Sequence, residues 1–427
     1  MRSVDVVVAG AGPAGVATAV TLGRGGLDVL LVDKARFPRD KCCGDGLTTG
    51  ALRLLEGLGL EPASVASWQQ VDDVVVRGPA GHEVRFPLPR GRGTYAAVAR
   101  RSDLDAALVD LARVARGVTV LEGTPVTGAT DLGDRVVVDV GGEQVAARYA
   151  VGADGMWSPL RKHLGAGPPV PELGEWHAFR QYFTGVGPRA ASQLFVWFEP
   201  DLLPGYAWSF PVSGGGANVG FGIQRGSGIA TRDMAKLWPA LLARDHVRAV
   251  LGPAATPEGT HKAWPIPAHV GAATLHAAGG RALFVGDAAA ATDPLTGEGI
   301  GQALLTGTLA ARAVLAAGGL DPAAAATRYA AAVDRELVAD ARMSQLLIRA
   351  VRHRKGVRAA LRLAGATGWT RRSFGRWLFE DYPRALLVTP GRWGEHRLDG
   401  DGAWARPARA GAAAEAGRAD RVAAGRP

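Results

Sequence analysis

Short apolar runs alternate with glycine-rich turns at the start of the chain. Residues 4–9 (VDVVVA) are mostly β-branched, the pattern of a strand buried on both faces. An alanine-rich helix is predicted next, and a second strand from Asp28 to Asp33 completes a βαβ unit. Residues 71–99 alternate in short pieces, such as Val74-Val75-Val76 and Glu83-Val84-Arg85-Phe86, split by Gly and Pro, which predicts antiparallel strands. Leu104, Leu108 and Leu111 share one face of a helix over Leu104 to Val114. Strands then recur through Ala150.

From about 166 to 270 the texture changes. Aromatic residues cluster, alternation is common and turns are frequent, as in Leu194-Phe195-Val196-Trp197-Phe198 and in residues 217–223. This predicts a β-rich insertion, one sheet forming the wall of a substrate cavity. Strand–turn–helix texture returns over 281–317. Asp321-Pro322 then starts a new helix, since Asp caps an N-terminus and Pro suits the first turn. Helices are expected to about residue 390. The last thirty or so residues are rich in Ala, Gly, Arg and Pro and read as disordered.

Composition changes this picture little. With 427 residues, 47% of them hydrophobic, two or three domains with a sizeable core are expected. The net charge of +9 suits anionic partners, but no nucleic-acid motif accompanies it. The two cysteines, Cys42 and Cys43, are adjacent. That is neither a disulfide framework nor a zinc pattern, and it points to a reducing, cytoplasmic compartment. Val6 to Gly23 carries no charge, like a signal peptide. Gly10, Gly12, Pro13 and Gly15 break it, so strand, turn and helix is the reading. No metal site and no nucleophile–base pair is visible.

Three motifs carry the chemistry. Gly10-Ala11-Gly12-Pro13-Ala14-Gly15 is G-x-G-x-x-G, placed after a strand and opening a helix. Glycines there let the backbone turn sharply and approach a pyrophosphate at the helix N-terminus. Asp33 closes the second strand, where an acid can bond a ribose hydroxyl. The second motif is Gly152-Ala153-Asp154-Gly155, followed by Ser158 and Arg161. The third is Gly286-Asp287, continuing through Asp293, Pro294, Gly297, Gly299, Ile300 and Gly301. Asp287 suits a ribityl hydroxyl, and the glycines from 297 to 301 let a helix N-terminus approach a flavin ring. Each motif alone can be a capped helix start; three in this order indicate bound FAD.

On these residues the chain resembles the FAD-dependent aromatic hydroxylases, flavin halogenases and geranylgeranyl reductases, over most of residues 4–320. The resemblance implies an α/β fold: a Rossmann-like FAD-binding domain of the aromatic hydroxylase type, an inserted β-rich substrate domain and a C-terminal helical region. The implied units are a discontinuous FAD-binding domain (1–70, 99–165 and 275–320), a substrate domain (71–98 and 166–274), C-terminal helices (321–395) and a disordered tail (396–427). It also implies FAD contacts from Lys34, Cys43, Gly44, Arg101 and Val126; for Arg101 an ordinary surface arginine before a helix is the alternative. Only one nucleotide fingerprint is present, so electrons are expected from an external donor, a transiently docked NAD(P)H or another carrier.

Two segments resemble the geranylgeranyl reductase branch. Residues 37–47 (FPRDKCCGDGL) look like its P-x-x-K-x-C-G-x-G-L motif, with Cys43 at the motif cysteine. Tyr206-Ala207-Trp208-Ser209-Phe210-Pro211 looks like its Y-x-W-x-F-P motif. Halogenases instead carry W-x-W-x-I-P, and Tyr206 replaces the first tryptophan. The resemblance implies reduction of an isoprenoid C=C bond by a hydride from reduced flavin and a proton to the other carbon. The substrate would be a geranylgeranyl-type lipid, a prenyl diphosphate or a prenylated quinone. Tyr206, Trp208 and Phe210 can line the prenyl path and stabilise developing positive charge, with Trp264 as a further substrate contact. Cys43 can relay the proton or simply pack beside the flavin. A flavin-dependent monooxygenase or halogenase is the alternative. His177 and Arg180 read as structural strand residues. Basic and apolar residues crowd 349–379, which suits either peripheral membrane contact or a helical cap with a solvated face.

Overall fold

The computed structural model describes residues 1–169, 174–379 and 400–405. Its first sheet is built on β1 (Arg2–Ala9), whose apolar residues are covered on both faces. β1 runs parallel to β2 (Val29–Val32) and to the ten-residue Glu143–Gly152 strand, which becomes β11 in chain order. Between β1 and β2 lies α1 (Pro13–Arg24). β2 continues to β8 (Val118–Leu121), and β11 to β18 (Ala282–Phe284) and β17 (His276–Ala277). β9 (Val126–Asp131) and β10 (Val136–Val140) extend the sheet antiparallel from β11.

A three-stranded sheet joins β3 (Gly46–Leu47), β7 (Ala97–Val98) and β4 (Gln69–Gln70). The third sheet has seven strands. Its order is Thr256–Ile266 (β16), Trp176–Thr184 (β12), Gly216–Gln224 (β15), Ala207–Val212 (β14), Leu194–Trp197 (β13), Asp73–Arg77 (β5) and Glu83–Pro87 (β6). Only the β13–β5 pair is parallel. Two helices absent from the sequence reading, α5 (Met234–Leu242) and α6 (Asp245–Leu251), cover one face of this sheet. Their signal was present: Met234, Trp238 and Leu241 are buried at helical spacing. Trp238 packs on Phe179, Phe183 and Phe221.

The remaining helices are α2 (Thr49–Leu58), α3 (Arg101–Val114), α4 (Pro159–His163), α7 (Ile300–Ala316) and α8 (Pro322–Val333). Asp321 caps α8, accepting from the Ala324 N–H at 2.9 Å. A π turn (Asp334–Val338) leads into α9 (Ala339–Val351), α10 (Arg354–Gly365) and α11 (Gly368–Phe379). α1 and α7 pack closely because residue 307 is glycine: a Cβ there would lie 2.2 Å from the Ala14 carbonyl oxygen. Thr18 fills the seam, donating to the Ala14 and Gly307 carbonyls.

The expected disordered tail departs from the structure over 400–405. Ala403 bridges to Thr94, the Tyr95 hydroxyl donates to the Gly400 carbonyl at 2.8 Å, and the Trp404 ring meets Trp68 edge-on at 5.5 Å. Trp404 supplies the apolar area that composition alone hid. The rest of that segment, and the expected helix beyond residue 379, lie outside the described residues.

Candidate functional site

One cavity of about 660 Å³ runs between the first sheet, the seven-stranded sheet and the C-terminal helices. It collects Gly10, Gly12, Asp33, Cys43, Arg101, Asp154, Asp287, Tyr206, Trp208, Phe210 and Trp264, whereas Gly15, Ser158, Arg161 and Gly301 lie outside its lining. Gly15 instead lets the loop close: a Cβ there would sit 1.7 Å from the Gly10 carbonyl oxygen. Gly10 has φ +100°, and a Cβ would meet the Ala153 oxygen at 2.3 Å. These two positions bring the ends of β1 and β11 together under the start of α1. Gly12 caps α1 without a side-chain bond, and Pro13 follows. The first-turn N–H groups of α1 therefore face the cavity, where an anion is stabilised.

Asp33 holds its place through backbone donors. Its Oδ2 accepts from Ala11 N–H and its Oδ1 from Ala35 N–H, both at 2.8 Å. Each carboxylate oxygen keeps acceptor capacity for a ribose hydroxyl. Asp154 accepts from Leu160 N–H at 3.0 Å through Oδ2, while its buried Oδ1 has no partner among the described residues. Burial raises its pKa. Gly155 beside it (φ +82°) leaves open space where a Cβ would stand. Arg161 is structural: it is buried, stacks on Phe284 and donates to the Thr274 and Ala288 carbonyls.

The ordinary-surface alternative for Arg101 is overturned. Arg101 is 4% exposed and forms two bonds to buried Asp105, at 2.8 and 2.7 Å. Burial opposes its charge, but Asp105 holds the guanidinium above its ordinary pKa. Arg39 pairs with the same Asp105 at 2.9 Å. Across the cavity, Lys41 pairs with Asp287 at 2.9 Å. Burial pushes the Asp287 pKa up, and Lys41 overrides it, holding the carboxyl low. The following loop folds on Asp293, whose Oδ1 accepts from Leu295 and Thr296 N–H and whose Oδ2 accepts from Ser344 of α9. Gly297 (φ +70°) turns the chain, and α7 begins at Ile300 with Gly299 as a bare cap. Lys34, Val126 and Pro294 also stand in the cavity wall.

The opposite wall is aromatic. Tyr206, Trp208 and Phe210 alternate toward the cavity, with successive ring centroids 6.2 and 6.1 Å apart. The Tyr206 hydroxyl donates to the Thr296 carbonyl, tying this wall to the glycine loop before α7. Gly220 makes room for Trp208, whose ring would lie 2.4 Å from a Cβ there. Hypothetical Cβ atoms on Gly44 and Gly46 would lie 3.4 and 3.2 Å from the Phe210 ring. Residues 37–47 and 206–211, far apart in the chain, are thus packed face to face. Trp264 is 37% exposed on edge strand β16.

Cys43 is half-buried on the cavity wall, and its Sγ accepts from Asp45 N–H at 3.3 Å. Burial raises its pKa, so it stands as a thiol. Arg180 is 2% exposed, bonds Asp40 at 2.5 Å and lies over the Tyr182 ring.

Sequence reasoning missed Asp45, Tyr182 and Asn218. Asp45 Oδ2 accepts from the Tyr182 hydroxyl at 2.5 Å and from Asn218 Nδ2 at 2.9 Å. Asn218 Nδ2 also donates to the Cys43 carbonyl at 2.8 Å, and its Oδ1 accepts from Trp208 Nε1 at 3.1 Å. The signal in the sequence was an acid inside a Gly-x-Gly turn next to the motif cysteine. Nothing local pointed to its partners.

The cavity fits FAD: bare helix N-termini for a pyrophosphate, Asp33 for a ribose, an unpartnered Asp154 oxygen and glycine cradles. Comparisons agree. The FAD binding domain family model matches residues 3–316. A menaquinone reductase of Mycolicibacterium smegmatis is 35% identical over 74% of this chain and 78% of its own length. Digeranylgeranylglycerophospholipid reductase 1 of Methanopyrus kandleri is 32% identical over 72% of this chain and 79% of its own. Among solved structures, a geranylgeranyl bacteriochlorophyll reductase-like protein of Thermoplasma acidophilum superposes with TM-score 0.74 at 19% identity, covering 92% of this chain and 99% of that one. A p-nitrophenol 4-monooxygenase of Pseudomonas putida gives 0.68 at 18% identity, covering 88% and 97%. The structural likenesses establish the shared fold, and the sequence likenesses place the chain more narrowly: it belongs to the FAD-binding family of flavin-dependent oxidoreductases, in the geranylgeranyl reductase group.

Proposed function

We propose that this protein reduces C=C bonds in an isoprenoid chain, with a prenylated quinone or a geranylgeranyl-type lipid as substrate. The observation that carries this reading is the continuity of the cavity. From the glycine loops it passes the Tyr206–Trp208–Phe210 ladder, then runs on between Val74, Val76, Leu194 and Val196 on one side and Leu347, Val357, Leu361 and Phe374 on the other. An apolar channel leading from a flavin site suits a long hydrocarbon chain. The names of the reductases at 35% and 32% identity support the same substrate class.

Bound FAD supplies the hydride chemistry. The chain's own residues bind, orient and exclude water. The aromatic faces stabilise positive charge developing on the more substituted carbon. Cys43, a thiol at the junction of the two motifs, holds a proton beside the path. The external donor is a transiently docked nicotinamide or another carrier, a reading supported by the single nucleotide fingerprint.

No described helix is long and apolar enough to cross a membrane. Peripheral contact is our reading for substrate delivery. Leu346, Leu363 and Trp369 are 54, 72 and 70% exposed on helices that also expose Arg349, Arg358 and Arg362. The experiment is mass spectrometry after incubating the flavin-loaded protein, a reductant and a menaquinone. Paired hydrogens gained on the prenyl tail support the reading. Oxygen or halogen gained on the quinone when oxygen and halide are supplied, with its prenyl chain unreduced, replaces it with a monooxygenase or halogenase.

A further inference from the structure

Asp45 is fully buried, yet it stands in the cavity wall. It occupies the left-handed region (φ +66°), unusual for a residue other than glycine. Its two carboxyl oxygens are unequal. Oδ2 accepts two hydrogen bonds, from Tyr182 and Asn218. Oδ1 is buried and has no partner among the described residues. An ionised carboxylate with one bare buried oxygen is costly. A neutral acid with its proton on Oδ1 lowers that cost by removing the charge, because Oδ2 is already filled by donors, and it leaves the Oδ1 hydroxyl as a donor without a protein acceptor among the described residues.

We propose that Asp45 is the proton store of this site, carrying its proton on Oδ1 and releasing it to the cavity wall it shares with Cys43. The proposal rests on the reductive reading above. The double bond gains a hydride, with its electron pair, from the reduced cofactor that an external two-electron donor regenerates. The other carbon gains a proton. That proton traces to Oδ1; the broken O–H bond leaves its electron pair on the carboxylate, and solvent later restores the proton. Tyr182 and Asn218 hold the carboxylate between these events.

The titratable and charged groups facing Asp45 are Cys42 and Cys43 on its own loop, Tyr182 and Arg180 on β12, and Arg100 and Arg101 at the start of α3. Burial pushes its pKa up to about 6, against the hydrogen bonds from Tyr182 and Asn218 and the charges of Arg180 and Arg101, which lower it. Guanidinium groups lie over the Tyr182 ring at 4.3 Å (Arg100) and 4.2 Å (Arg180) and fix its position.

The test joins infrared titration of the flavin-loaded protein with turnover of a menaquinone across pH. A carboxylic-acid band should be lost as pH rises through the Asp45 pKa, and D45N should lack it. D45N should turn over about 100-fold more slowly and lose the alkaline fall seen in the native protein. Y182F, which leaves Asp45 in place, should shift both the band and the fall to higher pH, since a bond favouring the ionised form is gone. That variant keeps the test decisive if D45N folds poorly. No band from Asp45 at any pH overturns the proposal, whether or not any prenyl chain is reduced. So does a D45N pH profile matching the native one. If the band is present and no prenyl chain is reduced, the substrate reading falls instead.

Discussion

The wall that carries the glycine loops and the wall that carries the aromatic rings face one cavity, but they are made in opposite ways. The first works by leaving side chains out. Gly10 and Gly15 bring backbone to within 2.3 and 1.7 Å of where a Cβ would be, and the start of α1 is bare. The second works by putting side chains in: strands drawn from residues 73 to 266 align Tyr206, Trp208 and Phe210, with Phe179, Phe221 and Trp238 packed behind. Backbone chemistry is short-range and unforgiving. Side-chain packing is spread out and degrades by degrees.

Substitutions can break this contrast. Gly15→Val should have the largest effect on flavin binding, because nothing near the Gly10 carbonyl can retreat. It should cost roughly 3 kcal/mol or more, and little flavin absorbance should copurify. Phe179→Ala should cost about 3–5 kcal/mol in denaturant melts, yet retain flavin wherever the protein stays folded. Equal flavin loss from both variants would erase the distinction.

Asp45 joins the walls, and its effect should be seen in pH dependence. Its folded pKa of about 6 lies above the ordinary 3.8. Between those values the native state binds the extra proton, so this contribution to stability falls as pH rises through the window. The span corresponds to on the order of 3 kcal/mol. Melts from pH 4 to pH 7 should show that loss in the native protein relative to D45N.

Tyr206→Phe sharpens the comparison, since it removes the hydroxyl bond to Thr296 between the walls and keeps the ring. Flavin affinity should weaken about fivefold, or about 1 kcal/mol, by fluorescence titration. The smallest effect is expected for Cys42→Ser. Among the described residues that thiol's hydrogen-bond partner is the Lys262 carbonyl, at a long 3.6 Å. Melting should change by less than about 0.5 kcal/mol, and flavin content should hold.

Much of the flavin wall was legible because its determinants are neighbours in the chain. β1, the glycine turn, α1 and the acid after β2 fall within residues 2–33. The ladder was legible as alternation, but not its contact with Gly44 and Gly46. Composition hid the Trp404 strap over residues 400–405, and the aromatic texture of the β-rich region masked α5 and α6.

The sequence by itself determined the cofactor-binding turn, the reductase-like motifs and the positions of most elements, because each depends on spacing within a few tens of residues. The tertiary structure alone decided what Asp45 is. Its hydrogen-bond donors Tyr182 and Asn218 lie 137 and 173 residues away in the chain. A carboxyl's chemistry is set by its solvent and its neighbours, and both are fixed only when the sheets close around it.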